Sequence, residues 1–380
     1  MDLGFLQTII SFLILLSIVV FVHEWGHFYI ARRNGVRVEV FSVGFGPEIF
    51  GWYDKYGTRW RVSAVPLGGY VKMFGMAEDE EINDKSAQNF LESGANKDAA
   101  ADGVMSEEEK AVSFAHKSVG QRAAIVFAGP AINFIFAVIV LAGIGLAVGV
   151  PNISVSVEEV TAGSAAEAGG MQNGDVLLQI DGKEVTDART VQKIVTANPG
   201  VELPFIVSRD GQEVQLNVTP ANADDGQGNQ SGRLGIRMQS ALLSYERLNP
   251  FAAAWFGLEK TASITWEALV NIGNLLTLKG NFKDLGGPIA IAQMSGQAAE
   301  QGILPFVFLM AVISINLGLI NLFPIPILDG GHLMFMGIEA VRGKPLGERA
   351  QEYGFRIGLA LVLLLMVSVT WNDLVRSFGF

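Results

Sequence analysis

Apolar positions gather into four long runs, and between those runs the pattern changes character. The runs cover about Leu3 to Ile30, Ala123 to Val150, Leu304 to Ile327 and Ile357 to Trp371. A bilayer core of about 30 Å needs about 20 helical residues, so each run predicts a membrane-spanning helix. The first two are placed at 1–35 and 119–150, the last two at 303–335 and 357–376, with a short loop at 336–356. Between the first pair, Val38-Glu39-Val40-Phe41-Ser42-Val43 and Trp60-Arg61-Val62-Ser63-Ala64-Val65 have strand patterns. Gly44, Gly46, Pro47, Gly57, Gly68 and Gly69 punctuate them, which predicts a small membrane-associated β-sheet over 36–76. After the second run, residues 151–240 read as a soluble α+β domain. Residues 241–302, carrying Trp255, Phe256 and Trp266, read as helices lying on the membrane surface. The fold class is therefore a polytopic α-helical membrane protein with a small sheet and one inserted soluble domain.

Composition agrees with this division. Half of the 380 residues are hydrophobic and only 17% are charged, too few for a soluble chain of this length. The net charge of −11 is concentrated in Glu78-Asp79-Glu80-Glu81 and Glu107-Glu108-Glu109, which makes 77–118 an acidic, solvated loop. Such a balance argues against nucleic acid as a partner. There is no cysteine, so disulfides and thiolate metal sites are excluded. The first run lacks a basic leader and a small-residue cleavage site, so it reads as a retained helix rather than a signal peptide.

Basic residues set an orientation. Arg32, Arg33 and Arg37 follow the first run, Lys117 and Arg122 precede the second, and Arg342, Lys344, Arg349 and Arg356 separate the third from the fourth. By the positive-inside rule these regions are cytoplasmic, and the soluble domain faces the other side.

The sharpest chemical signal sits near the end of the first run, where His23-Glu24-Trp25-Gly26-His27 spells His-Glu-x-x-His. Four residues apart on a helix, His23 and His27 project from one face and can share one zinc ion. Glu24 lies close enough to accept a proton from water at that ion. Two histidines need a third ligand. His116, Glu339, Asp329 and His332 are the protein candidates. Asp329 and His332 directly follow Asn321-Leu322-Phe323-Pro324-Ile325-Pro326-Ile327-Leu328, where two prolines forbid regular helix. Irregular backbone beside a carboxylate at membrane depth points to a functional cavity.

Two resemblances add to these readings. Residues 151–240 carry Ser164-Ala165-Ala166-Glu167-Ala168-Gly169-Gly170-Met171, Asn173-Gly174-Asp175 and Ile180-Asp181-Gly182, and they resemble a single PDZ domain of the circularly permuted bacterial type. The resemblance implies that Arg233, Leu234, Gly235 and Ile236 form the loop that binds a chain-end carboxylate. The whole chain resembles the site-2 protease family of intramembrane zinc metalloproteases, of the bacterial regulator-of-sigma-E type. The matching pieces are His23 to His27, Val43-Gly44-Phe45-Gly46, Pro66-Leu67-Gly68-Gly69-Tyr70-Val71, Ala128-Gly129-Pro130-Ala131-Ile132-Asn133-Phe134 and Asn321 to Gly331.

That likeness implies a zinc metalloendopeptidase with Glu24 as catalytic residue and His23, His27 and Asp329 as ligands of one zinc ion. It selects Asp329 over His332, and Asn321 as a contact to the substrate backbone. Gly68, Gly69 and Tyr70 are expected to form a strand edge that receives substrate, and Asn133 is a further substrate-binding candidate with helix packing as its alternative. The implied substrates are transmembrane segments of single-pass proteins, such as anti-sigma factors and signal-peptide remnants, cut within the lipid. The expected location is a bacterial inner membrane, with a periplasmic PDZ domain and the site near the cytoplasmic side. A zinc transporter or sensor would use the same ligands, but the other spans hold almost no ionisable groups to line a path. An inactive PDZ adaptor would not need Glu24.

Overall fold

The computed structural model describes residues 3–76, 105–185, 187–224, 230–277 and 286–378. Glu78 to Glu81 of the acidic loop lie outside the described residues, whereas Glu107, Glu108 and Glu109 open a short helix capped by Ser106. In chain order the helices are α1 (Leu3–Arg33), α2 (Glu107–Val112), α3 (Val119–Ala147), α4 (Ala165–Ala168), α5 (Ala188–Thr196), α6 (Pro250–Leu276), α7 (Pro288–Gln301), α8 (Ile303–Asn321), α9 (Asp329–Arg342) and α10 (Glu348–Phe378). The strands are β1 (Val38–Tyr53), β2 (Arg59–Met73), β3 (Val150–Val160), β4 (Val176–Ile180), β5 (Lys183–Glu184), β6 (Leu203–Arg209), β7 (Gln212–Val218), β8 (Ala221–Asp224), β9 (Gln230–Arg233) and β10 (Ile236–Glu246). They divide into two compact units, one of residues 1–144 and 250–380, the other of residues 145–249.

In the first unit four helices are long and apolar enough to cross a bilayer: Gly4–Arg33, Val119–Ala147, Ile303–Asn321 and Arg349–Arg376. The protein is a polytopic membrane protein carrying β-sheets. The third apolar run stops being helical at Asn321, six residues before its hydropathy ends. Pro324 and Pro326 have no N–H to continue the ladder, and Leu322 and Phe323 close α8 by bonding back to Leu319 and Ile320 at 3.1 Å. The fourth helix starts earlier than its apolar run, because Glu352 and Arg356 pair one turn apart and extend it outwards.

Small residues let these helices approach closely. A Cβ on Gly26 of α1 would collide with the Ala128 carbonyl of α3. At Gly318 of α8 it would meet the Pro130 carbonyl and Asn133, and at Gly296 of α7 it would meet Thr8. Without a hydrophobic drive between helices in lipid, such backbone proximity supplies the packing.

β1 and β2 are long, bent strands that pair with each other more than once. Val43 of β1 stands opposite Gly69 on one side and Val62 on the other, while Glu48 to Tyr53 continue the hairpin with Arg59 to Ser63. The segments therefore lie in the order 48–53, 59–63, 38–45, 69–73, which leaves 69–73 on an outer edge. Phe41, fully buried, pins this sheet to α1. Its ring lies 5.4 Å from Phe28 and stacks 4.4 Å from Trp60. Ile49, Phe50 and Trp52 are exposed, apolar side chains suited to the lipid layer. At the end of α1, Arg32 reaches Asp54 at 2.5 Å and Thr58 at 2.8 Å, tying the helix to the hairpin turn.

The second unit is a sheet of order β10-β3-β4-β6-β7, with β5 beside β4 and a separate β8–β9 hairpin. Val157, Leu177, Ile180, Phe205 and Val207 from the strands form its core with Val191 and Val195 of α5, and a bulge between Leu177 and Gln179 lets both Leu177 and Ile180 turn inwards. Asp187 caps α5 by accepting from Thr190 N–H, and Asp175, buried inside the unit, binds Arg209 at 2.7 Å.

The Asp54 turn generates a pH prediction. Burial raises the Asp54 carboxyl, but hydrogen bonds from Trp60, Tyr56 N–H, Arg32 and Thr58 N–H outweigh it and hold the group below its ordinary 3.8. A depressed carboxyl stabilises the fold fully above its unfolded value and loses that contribution as pH falls through the lower folded value. Proteolytic nicking of residues 54–58 is therefore expected to rise only below about pH 3.8. Asp54→Ala should nick readily at every pH from 7 to 3, and equal resistance of the two proteins would contradict the role of this turn.

Candidate metal centre

His23 and His27 lie on the face of α1 that packs on α3, both at least nine-tenths buried. Their Nε2 atoms are 3.2 Å apart. Asp329 reaches the same point from the opposite end of the sequence, with Oδ2 at 3.2 Å from His23 Nε2 and 3.5 Å from His27 Nε2. It is the first residue of α9, delivered there by the break after α8. A Cβ on Gly330 would strike the Leu322 and Phe323 carbonyls, and one on Gly331 the Ile325 carbonyl. Only glycine fits under this tight turn, so the Asp-Gly-Gly sequence is what allows α9 to begin here.

The donor set fits a zinc ion. Ligands held about 2.0–2.1 Å from zinc in a tetrahedron are separated by about 3.3 Å, close to the three distances found. Asp329 Oδ2 is buried without a hydrogen-bond partner, an arrangement that costs free energy unless a cation faces it. His27 Nδ1 lies 2.9 Å from the Ile125 carbonyl, and a carbonyl only accepts. That bond fixes the proton on Nδ1 and leaves the Nε2 lone pair for a metal. Gly129 makes room for the ring, since a Cβ there would overlap His27.

Glu24 lines a cavity of about 210 Å³ together with the three donors, Gly69, Tyr70, Val71 and Asn321. Gly69 is pressed against α1: an added Cβ would lie 2.7 Å from the Ser42 carbonyl and 3.2 Å from Glu24 Cγ. Gly68 has a positive φ of 130° and sits under the Phe45 ring. The outer strand segment of the sheet thus runs beside Glu24.

Among the described residues, the other third-ligand candidates do not join the group. His116 is bonded to Ser113 Oγ at 3.1 Å, and Glu339 is paired with Arg122 at 2.5 Å. His332 lines the cavity one turn beyond Asp329 and packs against Phe355. Asn133 is fully buried, with its amide 3.1 Å from His23 Nδ1 and outside the cavity lining. Arg233, Leu234, Gly235 and Ile236 belong to the second unit, where the Leu234 and Gly235 carbonyls accept from Ala166 and Thr161. Gly235 has a positive φ of 78°. Sequence reasoning missed the Ile125 carbonyl and Gly129. Their signal is the spacing Ile125, Gly129, Asn133, which repeats the four-residue interval between His23 and His27.

The family model described as Peptidase family M50 matches residues 11–365. A predicted zinc metalloprotease of Agrobacterium fabrum is 41% identical over 99% of this chain and 98% of its own. Metalloprotease MmpA of Caulobacter vibrioides is 37% identical over 98% of this chain and 97% of its own. Zinc metalloprotease RasP of Oceanobacillus iheyensis is 32% identical over 98% of this chain and 100% of its own. With these matches along the chain and a zinc-compatible donor set inside its helices, this protein belongs to peptidase family M50 and is an intramembrane zinc metalloendopeptidase of the site-2 protease type.

Proposed function

We propose that His23, His27 and Asp329 hold the zinc ion and that Glu24 is the general base and acid of peptide hydrolysis. The observation that carries this reading is the set of three donor atoms at tetrahedral spacing beside Glu24 in one cavity. The chemistry that zinc supplies when bound is Lewis acidity, which eases deprotonation of water and polarises a peptide carbonyl. Glu24 takes the proton of the attacking water and returns it to the leaving amine. Asn321, at the end of α8 and in the cavity wall, holds the substrate backbone in register.

A transmembrane substrate must unwind before its carbonyl is accessible, and each unpaired backbone group in lipid costs several kcal/mol. The edge at Gly68, Gly69 and Tyr70 offsets that cost by pairing with the opened segment as an added strand. The substrates are single-pass membrane proteins of the anti-sigma factor class and signal-peptide remnants, in a bacterial inner membrane. The basic flanks of α1, α3 and α10 support a site near the cytoplasmic side and a periplasmic second unit.

That second unit acts as a PDZ domain of the permuted type. Its support is the position of β10 at the end of the sheet and the positive-φ turn at Gly235 immediately before it. A chain end added along β10 would bring its carboxylate to Arg233–Ile236, which screens substrates already trimmed on the outer side.

Two outcomes are expected. Glu24→Gln in detergent-solubilised protein should keep the zinc content of the wild type but lose cleavage of a single-pass substrate by at least about 10³-fold. Retained cleavage would remove Glu24 from the chemistry, and chelator treatment of the wild type should abolish activity until zinc is returned. Tyr70→Pro, which removes a backbone N–H from the outer strand segment and disturbs its extended path, should reduce cleavage strongly with zinc content unchanged. Normal cleavage by that variant would count against strand addition.

A further inference from the structure

We propose that Asn133 is a positioning residue for the metal: its amide oxygen accepts the Nδ1 proton of His23 and so aims His23 Nε2 at zinc. The inference rests on the zinc reading above and deepens it. Asn133 lies on α3, fully buried, with Nδ2 3.1 Å from His23 Nδ1 and Oδ1 buried without a partner; the two ends of an amide have the same shape, and a half-turn of the group puts Oδ1 against the ring. It stands outside the wall of the cavity where substrate would lie, so its contact is with the ligand rather than the reactant.

The chemistry fixes which end of the amide faces the ring. A neutral imidazole carries one proton, and His23 can give Nε2 to a metal only when that proton is on Nδ1. An N–H facing Nδ1 would force the proton onto Nε2, where it would point at Asp329 and block ligation. Oδ1 is the end that satisfies an Nδ1 proton, and among the described residues it has no other partner to give up.

The placement also has a mechanical logic. α1 and α3 cross closely at Gly26 and Ala128. His27 finds its acceptor at the Ile125 carbonyl, and two turns along α3 His23 finds Asn133. Gly129 lies between them, against the His27 ring. Asn133 is itself held by α8: its carbonyl accepts from the buried Ser314 hydroxyl at 3.1 Å, and Gly318 leaves space beside its Cβ. The helix that fixes Asn133 is the one that leads to Asp329. One chain of contacts, from His23 through Asn133 to α8, therefore sets two ligands that are far apart in sequence.

The test is metal affinity of the full-length protein in detergent, measured by zinc competition against a chromophoric chelator. Visible absorption of the cobalt-substituted protein reports the ligand geometry. Asn133→Leu keeps the volume and removes the acceptor, and should bind zinc about 10–100-fold more weakly with an altered cobalt band. Asn133→Asp keeps an acceptor oxygen and should restore binding to within about threefold of the wild type, with a wild-type cobalt band. Wild-type affinity in Asn133→Leu would overturn the proposal. So would an Asn133→Asp as weak as Asn133→Leu, since the position would then serve packing or donate instead. A wild type that takes up no zinc would overturn the zinc reading itself, and this inference with it.

Discussion

A carboxylate among apolar helices is the constraint around which the membrane unit is built. Asp329 Oδ2 has no hydrogen-bond partner of its own and faces two imidazole nitrogens at 3.2 and 3.5 Å. Left unpaired at that depth, such a charge would neutralise or draw in water. A divalent cation turns the same cluster into a favourable one, so the site and the fold depend on each other. The close contacts at Gly26, Gly129 and Gly318 have their purpose here, since each side chain they forgo lets a helix come near enough to complete the donor set.

Delivery of that carboxylate depends on a failure of helix. A continuous helix from Ile303 would carry Asp329 along the same axis past the histidines. Instead Pro324 and Pro326 end the ladder, and the glycines at 330 and 331 allow α9 to restart beneath the turn. The irregular segment stays acceptable in lipid because its N–H groups bond within the turn: Ile325 to Phe323, Leu328 to Ile325. A second irregularity, the bent outer segment of the β1–β2 sheet, lies on the other wall of the same cavity. Non-helical backbone thus lines the cavity on both sides: the turn after α8 on one, and residues 69–71 of β2 on the other.

Much of this was legible in the residues. The four apolar runs correspond to the four helices able to cross a membrane, although α8 ends at Asn321 and α10 begins at Glu348. Hydropathy measures transfer to lipid, not hydrogen bonding, so it overran the prolines and stopped short at the paired charges of Glu352 and Arg356. The alternating patterns at Val38–Val43 and Trp60–Val65 foretold strands. They did not foretell that the first would be flanked on both sides, with Gly69 to Met73 on the edge. Strand order is a long-range property, and no local period encodes it.

The sequence by itself determined the chemistry available: two imidazoles one helical turn apart with a glutamate between them, a carboxylate after a proline break, and the helices to bury them. This follows because side-chain identity and helical period are local. The residue pattern alone left His116, Glu339 and His332 open beside Asp329; the family resemblance favoured Asp329, and the tertiary structure brings it to the pair through the crossing of α1, α3 and α8. The tertiary structure alone set Asn133 behind His23 and the Ile125 carbonyl behind His27. Those partners act through direction and distance between separate helices, quantities that come into being when the chain packs.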